Sequence, residues 1–544
     1  MTAINPNTTV YALKTDLTPN NEDTILFTSL ETQWNYMYSR RVKVYDDFTY
    51  QRERRNYIKV SDPNATIDKC NYLMFVNESY INKRYYAFII SVNWVNNETA
   101  EILYQIDYVQ TFLFDFTLAP CWIERQHSTT DVAGDNVVPE PVELGEYVSN
   151  NDYAPINPKS DVSWGEFNAI VAISDVSGSV DGSLYDNNYS GAKLYNYQLN
   201  SSGVGPLNNL LNAYVSRPDA VLGIWVVPRI AVYGLANGAI PSYNTSTAAY
   251  VDCPAINPAL SISLNGYIPK NKKMYTYPYN YYCIDNGAGD SLTLRYELCQ
   301  NYTPRLAIDF TITQPVSVVV YPTNYKGLTP TQATPNKTFR FESMRLPDLP
   351  MCSWSYDAYK EWLGRTVAPA LLSMPLKAIG LAAQTGASLE NARLMPSTRM
   401  FNAQNRSIMA GVANIGLSQS ADFISSMYSA SIAADPCRGG SASSTSLMAH
   451  GKYGIYGCRM SVMADYARTI DNFFTMYGYA QNRIATPVLN ARKQFTYIKT
   501  RGINIHGNIP IDAKEAIEDR FNNGIRFWKT ASQMDNYDVD NSPN

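Results

Sequence analysis

The sequence predicts a mainly β chain with minor α content. Forty-two tyrosines, with abundant Thr and Asn and repeated β-branched runs, suit pleated, half-buried surfaces better than helices. Several short apolar runs are bounded by Asn, Gly and Pro, which is how strands and turns alternate in sequence. At 544 residues the chain is too long for a single core and should divide into several domains.

The clearest local element is a hairpin. Residues 85–95 and 100–109 are β-rich runs separated by Asn96-Asn97-Glu98, and their alternation gives one buried and one wet face. Residues 72–76 read as a neighbouring strand, and the polar, Gly/Pro-marked stretch 124–147 as an extended loop. Short buried strands are expected at 169–174 and 221–227, with a helix at 207–215 between them and Pro218 as punctuation. A second β-rich block covers 274–284, 292–298, 306–313 and 316–321, and 353–363 reads as a helix ending at Gly364. Further on, a helix is expected at 461–476, a strand at 495–499 and a last helix at 513–522, with Asp512 as N-cap and Gly524 as terminator.

Residues 367–451 fit neither a normal core nor a normal loop. They are rich in Ala, Gly, Ser, Met and Ile, and 407–434 hold a single charged residue, Asp422. Apolar side chains lie all around a helix drawn through that segment: Ile408, Met409, Val412, Ile415, Leu417, Phe423, Ile424, Met427, Tyr428 and Ile432. A helix of about 20 apolar residues crosses a bilayer core of about 30 Å. Ala421, Ser425, Ser429 and Ala433 fall four apart, forming the small-residue stripe by which helices associate in lipid. A buried carboxylate is costly in lipid, so Asp422 must face water or be protonated, and acidification should favour insertion. Pro369, Pro375 and Pro396 break the earlier half, so 407–434 is the part able to span. Composition alone fits a buried helical hairpin or a linker as well as a membrane-active segment.

Other chemistry is sparse. Net charge is −4, which argues against a tight nucleic-acid surface; DNA could pass such a protein without being held. The N-terminus lacks the basic and apolar regions of a secretory signal. Eight cysteines lie far apart without CxxC spacing, which reads as reduced thiols in a protein made in a cytosol. His127, His450 and His506 have no metal-ligand spacing and read as solvated loop residues. Neither GxSxG nor a Walker loop occurs, and Gly287-Ala288-Gly289 is a turn. No enzyme activity, cofactor or metal is expected.

Three blocks together resemble one family: the distal tail-tube, or tail-knob, proteins of small short-tailed bacteriophages of the phi-29-like kind. The first is 84–148, where the strand pair runs through Ile106-Asp107, Gln110-Thr111 and Phe114-Asp115 to Ile123, Arg125 and His127. Tyr108 stands where the family pattern has Val, and both suit a strand. The second block is the Tyr-Pro-Tyr run within 274–284, similar to a strand of the family, and the third runs from Tyr477-Gly478-Tyr479 to Trp528.

The resemblance implies a β-barrel tail-tube domain that assembles as a homohexamer into a hollow tube. It divides the chain into tube segments 1–150, 274–366 and 452–544, a variable, β-rich insertion domain at 151–273, and a long hydrophobic helical or irregular loop at 367–451. The implied loop plugs the tube and later opens a pore in the host cytoplasmic membrane for genome ejection. Implied partners are the lower collar or proximal tail tube, that membrane, and genomic DNA passing through the lumen without specific binding. The protein would be made in the bacterial cytoplasm and reside at the tail tip of the virion, with Arg125 and His127 in a structural loop. A receptor-binding or polysaccharide-degrading tail spike is the alternative, since Tyr and Trp suit sugars as well as interfaces. A stand-alone pore-forming toxin is a third.

Overall fold

The computed structural model describes most of residues 8–354, the longest omitted stretches being 253–262 and 326–342, together with residues 437–438 and 453–544. Thirty strands stand against five α-helices among the described residues, so the chain is mainly β. It forms two compact units. One comprises Met1–Glu143, Pro269–Met274 and Arg468–Asn544; the other comprises Leu144–Ile268 and Tyr275–Ala467. Of 274–366, expected to join the two chain ends, Met274 belongs to the first unit, while 275–366 pack with 144–268. Both stretches contribute to one continuous apolar core, in which Ile170, Ile224, Ile308 and Val320 are fully buried.

The first unit holds a six-stranded antiparallel sheet in the order Arg41–Phe48, Thr8–Leu13, Tyr72–Asn77, Arg84–Asn96, Thr99–Ile106, Tyr57–Ser61. The expected hairpin is its centre. Asn96 pairs with Thr99, and the Asn96 side chain accepts the Glu98 N–H at 2.9 Å to fix the tight turn. Alternate residues go to opposite sides. Leu73, Ala87 and Ile102 join Val10 and Ala12 on one face, while Tyr72, Met74, Tyr86 and Phe88 pack with Met37 on the other. Met37 comes from the helix Leu30–Ser39, capped by Ser29 through a capping box with Thr32.

The hairpin's second strand stops earlier than the sequence pattern suggests. Tyr108 and Val109 begin a short helix, Tyr108–Phe112, because Asp107 caps it by accepting the Gln110 N–H at 3.2 Å. Gln110 then donates to the Thr24 hydroxyl at 2.8 Å and the Ile25 carbonyl at 2.7 Å, and Thr111 accepts the Tyr86 N–H at 3.1 Å. The motif residues thus lock a helix to the sheet.

A second sheet of the same unit runs Asp23–Ile25, Ile525–Trp528, Phe495–Arg501, Cys121–Gln126, Tyr479–Ala485. Helix Ile511–Asn523 buries Ala513, Ile517 and Phe521 at four-residue spacing among Val109, Ile498, Ile525 and Phe527. Gly524 ends it with φ of 104°, as expected, but Pro510 rather than Asp512 is the N-cap. Asp512 falls inside the first turn, where a carboxylate faces the positive end of the helix.

The second unit is built on a sheet ordered Gly238–Ala239, Ala192–Gln198, Phe167–Ser174, Val221–Pro228, Met351–Trp354, Cys437–Arg438. Phe167–Ser174 is buried along nearly its whole length, so it reads as a continuous apolar run. The expected helix between the two central strands is Val204–Ala213, burying Leu207 and Leu211. Arg305–Thr311 and Ser317–Pro322 pair in a four-stranded sheet, and Asn280–Asp285 pairs with both Ser291–Leu294 and Tyr456–Val462.

Four elements differ from the expectation. The Tyr-Pro-Tyr run is a turn, with Thr276 O accepting from Tyr279 N and Asn280 N, and the strand begins only at Asn280. After Leu294 the chain turns into a 3-10 helix, Tyr296–Leu298. Ser461 and Val462 end a strand, and the helix begins at Ala464. Ser353 and Trp354 lie in a strand, not a helix; the rest of that expected helix lies outside the described residues.

Candidate functional site

Two places in the fold bear on the residues singled out by sequence: the base of the 355–436 segment and a buried polar frame around Arg125 and His127. At the first, Met351–Trp354 pairs antiparallel with Cys437–Arg438, Ser353 opposite Arg438 and Trp354 opposite Cys437. The chain therefore leaves into 355–436 and returns from it on adjacent strands. That neck is anchored inward: Ile224 pairs with Cys352 and Trp225 with Met351. Trp225 is buried and its indole N–H donates to Ile312 O at 2.7 Å, fixing the strand that bears the neck. The proposed lipid-facing residues Ile408, Met409, Val412, Ile415, Leu417, Phe423, Ile424, Met427, Tyr428 and Ile432 lie outside the described residues. So do Ala421, Ser425, Ser429 and Ala433. Among the described residues no helix is long and apolar enough to cross a membrane.

The second place starts from Cys121–Gln126, which carries Arg125 and passes directly into His127. His127 is not the solvated loop residue that the sequence suggested; it is 2% exposed. Its Nδ1 accepts the Tyr497 N–H at 2.8 Å, so Nε2 carries the proton and donates to Thr475 O at 3.0 Å. Burial, reinforced by the nearby Arg492 and Arg526 charges, pushes its pKa down to about 3. The ring stays neutral and serves as a two-sided brace between backbone segments.

The expected loop 124–147 opens instead as strand, since Glu124, Arg125 and Gln126 end Cys121–Gln126, and Tyr147 begins another strand. Beyond His127 the chain to Glu143 is a strap held by two carboxylates. Glu140, whose side chain is fully buried, pairs with Arg125 and Lys273 and accepts the Ala480 N–H at 2.8 Å. Arg125 also donates to Gly478 O at 2.7 Å and lies over the Phe473 ring at 4.6 Å. Lys273 donates to Val138 O at 2.8 Å; burial lowers its pKa, while Glu140 opposes the shift. Asp131 accepts from the Tyr479 hydroxyl at 2.6 Å; burial first, and this contact next, raise the phenol's pKa. Asp471 accepts the Lys270 and Asn271 N–H groups at 2.7 and 3.0 Å, binding 269–274 to the helix that carries it.

Each of these charges is compensated by an internal partner, the arrangement a buried ionic frame requires. What it does chemically is hold backbone in place. Sequence singled out Arg125 and His127 but missed Glu140, Lys273, Asp131 and Asp471. Their separation along the chain leaves no local pattern; Pro139 and Pro141 flanking Glu140 in a polar stretch were the one visible cue.

Residues 243–542, more than half of the chain, match the model of the C-terminal domain of tail knob protein gp9 of Bacillus phage phi29. Residues 7–117 match that of the N-terminus of the caudoviral major tail protein. The chain is 22% identical to tail knob protein gp9 of Bacillus phage phi29, with 96% of each chain covered. It is equally 22% identical to that of Bacillus phage PZA, again over 96% of each, and 20% identical to that of Bacillus phage B103, over 95% of each. The tail knob protein gp12 of bacteriophage C1 shares the fold at a TM-score of 0.57 and 13% identity, with 97% of this chain and 98% of that one covered. The chain therefore belongs to the phi29 gp9 tail knob family, and is a structural component of the tail of a short-tailed phage.

Proposed function

We propose that the chain forms the distal end of the phage tail as a homohexameric tube whose barrels are built from tube segments of each copy. The part of 367–451 that lies between the neck strands, 367–436, plugs the lumen and, on contact with the host, leaves it to open a pore in the cytoplasmic membrane for the genome. The single observation that carries this reading is the neck: the ends of 355–436, the stretch that contains the nearly uncharged 407–434, are held on adjacent strands rooted in a buried core. A segment tethered in this way can change its surroundings without unfolding the unit that bears it. Inside a closed end, sister copies bury its apolar faces; in lipid, 407–434 is long enough to span. Small residues at Ala421, Ser425, Ser429 and Ala433 let neighbouring helices approach.

The test is a phage carrying Ile424→Lys and Met427→Lys. Tails should still assemble and adsorb, whereas dye release from lipid vesicles and genome delivery should fall by orders of magnitude, because each lysine costs about 3 kcal/mol at mid-membrane. Genome delivery at full efficiency by such particles would refute the proposal. Negative-stain images of the purified protein should show six-fold rings with one closed end.

A further inference from the structure

We propose that Cys283 and Cys458 form a cross-strand thiol pair that oxidises to a disulfide when the virion meets a low-molecular-weight disulfide. The two residues are register partners on the antiparallel strands Asn280–Asp285 and Tyr456–Val462. Opposed residues in such a pair have Cα atoms about 4.5–5.5 Å apart, inside the span of roughly 4.4–6.8 Å that a disulfide bridges. No other pair among the described cysteines shares a register position; Cys70, Cys121 and Cys299 lie on other elements.

The pair lies on the more open face of its sheet. Tyr282 and Ile284 point into the core, while Tyr281, Cys283 and Asp285 alternate to the half-buried side. Opposite them stand Met460, Cys458 and Tyr456, with the Cys458 Sγ 3.6 Å from the Met460 Sδ. Tyr153 stacks on Tyr456 at one end of the pair, whereas on its other flank Cys283 is paired with the exposed Thr293, the side from which a small reagent would approach. Cys458 is 7% exposed, so Cys283 is the first thiol met.

The thiols also differ in reactivity. A hydrogen bond from Cys458 lowers the pKa of Cys283 despite its burial, whereas burial pushes Cys70 up to about 11 and Cys299 up to about 12. The Cys283 thiolate attacks one sulfur of the reagent and expels its other half as a thiolate. Cys458, deprotonated, then attacks the Cys283 sulfur of the mixed disulfide and expels the second half. Two protein thiols become one disulfide, and the reagent disulfide is reduced to two thiols. The bond ties together both ends of residues 284–457, the stretch that includes 355–436, across strands that are already paired.

The reduced full-length protein should be incubated with oxidised glutathione, alkylated, and mapped by peptide mass. The expected result is a peptide joining Cys283 to Cys458, lighter than the sum of its parts by two hydrogens, while Cys70, Cys121 and Cys299 take the alkyl label. In Cys458→Ser the reaction should stop at glutathione held on Cys283. Alkyl label on both Cys283 and Cys458 after oxidation, or linkage of either to another cysteine, would overturn the proposal. A failure of Cys458→Ser to fold leaves the mapping of the unsubstituted protein decisive.

Discussion

Lowering the pH from 7 to 5 should loosen the first unit through His127. The ring binds its proton near pH 3 in the folded chain, against about 6.5 in the unfolded one. Between those values the unfolded state holds the extra proton, so stability rises with pH; it is fully present above about 6.5 and declines as pH falls toward 3. Over pH 7 to 5 the linkage amounts to about 2 kcal/mol, a factor of about 25 in the opening equilibrium. Glu297 acts with the opposite sign, since burial raises its carboxyl pKa, but it belongs to the other unit. The readout must therefore be local. Hydrogen exchange of peptides covering Tyr479–Ala485 and Phe495–Arg501, corrected for intrinsic rate, should lose about 25-fold in protection at pH 5. His127→Gln keeps an acceptor but no proton site, and should cost about 1–3 kcal/mol at pH 7 with a flat response to acid. Equal protection of the unsubstituted protein at both pH values, or the same acid loss in His127→Gln, would refute the reasoning.

Further substitutions separate geometry from composition. Gly478 and Gly502 have nearly the same φ, 65° and 63°, but a Cβ at Gly478 would lie 2.4 Å from His127 N while Gly502 has open space. Gly502→Ala should cost about 1–2 kcal/mol from backbone alone, and Gly478→Ala clearly more, read as the shift in urea midpoint. Glu140→Gln strands Arg125 and Lys273 as buried, uncompensated cations and should destabilise by about 3–5 kcal/mol, measured by urea unfolding of the first unit. Phe521→Ala opens a cavity in the core beneath the last helix and should cost about 3–5 kcal/mol in the same assay.

The sequence by itself determined the β class, the central hairpin, the end of the last helix at Gly524 and the existence of a nearly uncharged segment. Each of these is written in neighbouring residues: alternation, an Asn-bearing turn, a residue tolerant of positive φ, a run without charge. Family resemblance was legible for the same reason, since Ile106-Asp107 and Gln110-Thr111 stand together. What only the tertiary structure decided is where distant parts meet. Alternation could not reveal that Asp107 caps a helix, because Tyr108 and Val109 suit strand and helix termini alike. Nor could it bring Glu140 between Arg125 and Lys273, or set Ser353 and Trp354 opposite Arg438 and Cys437. His127 looked wet in sequence because its partners are backbone groups of Thr475 and Tyr497, more than three hundred residues away. Backbone donors and acceptors are present at almost every residue and leave no sequence pattern, so folding alone selects which of them a side chain will meet.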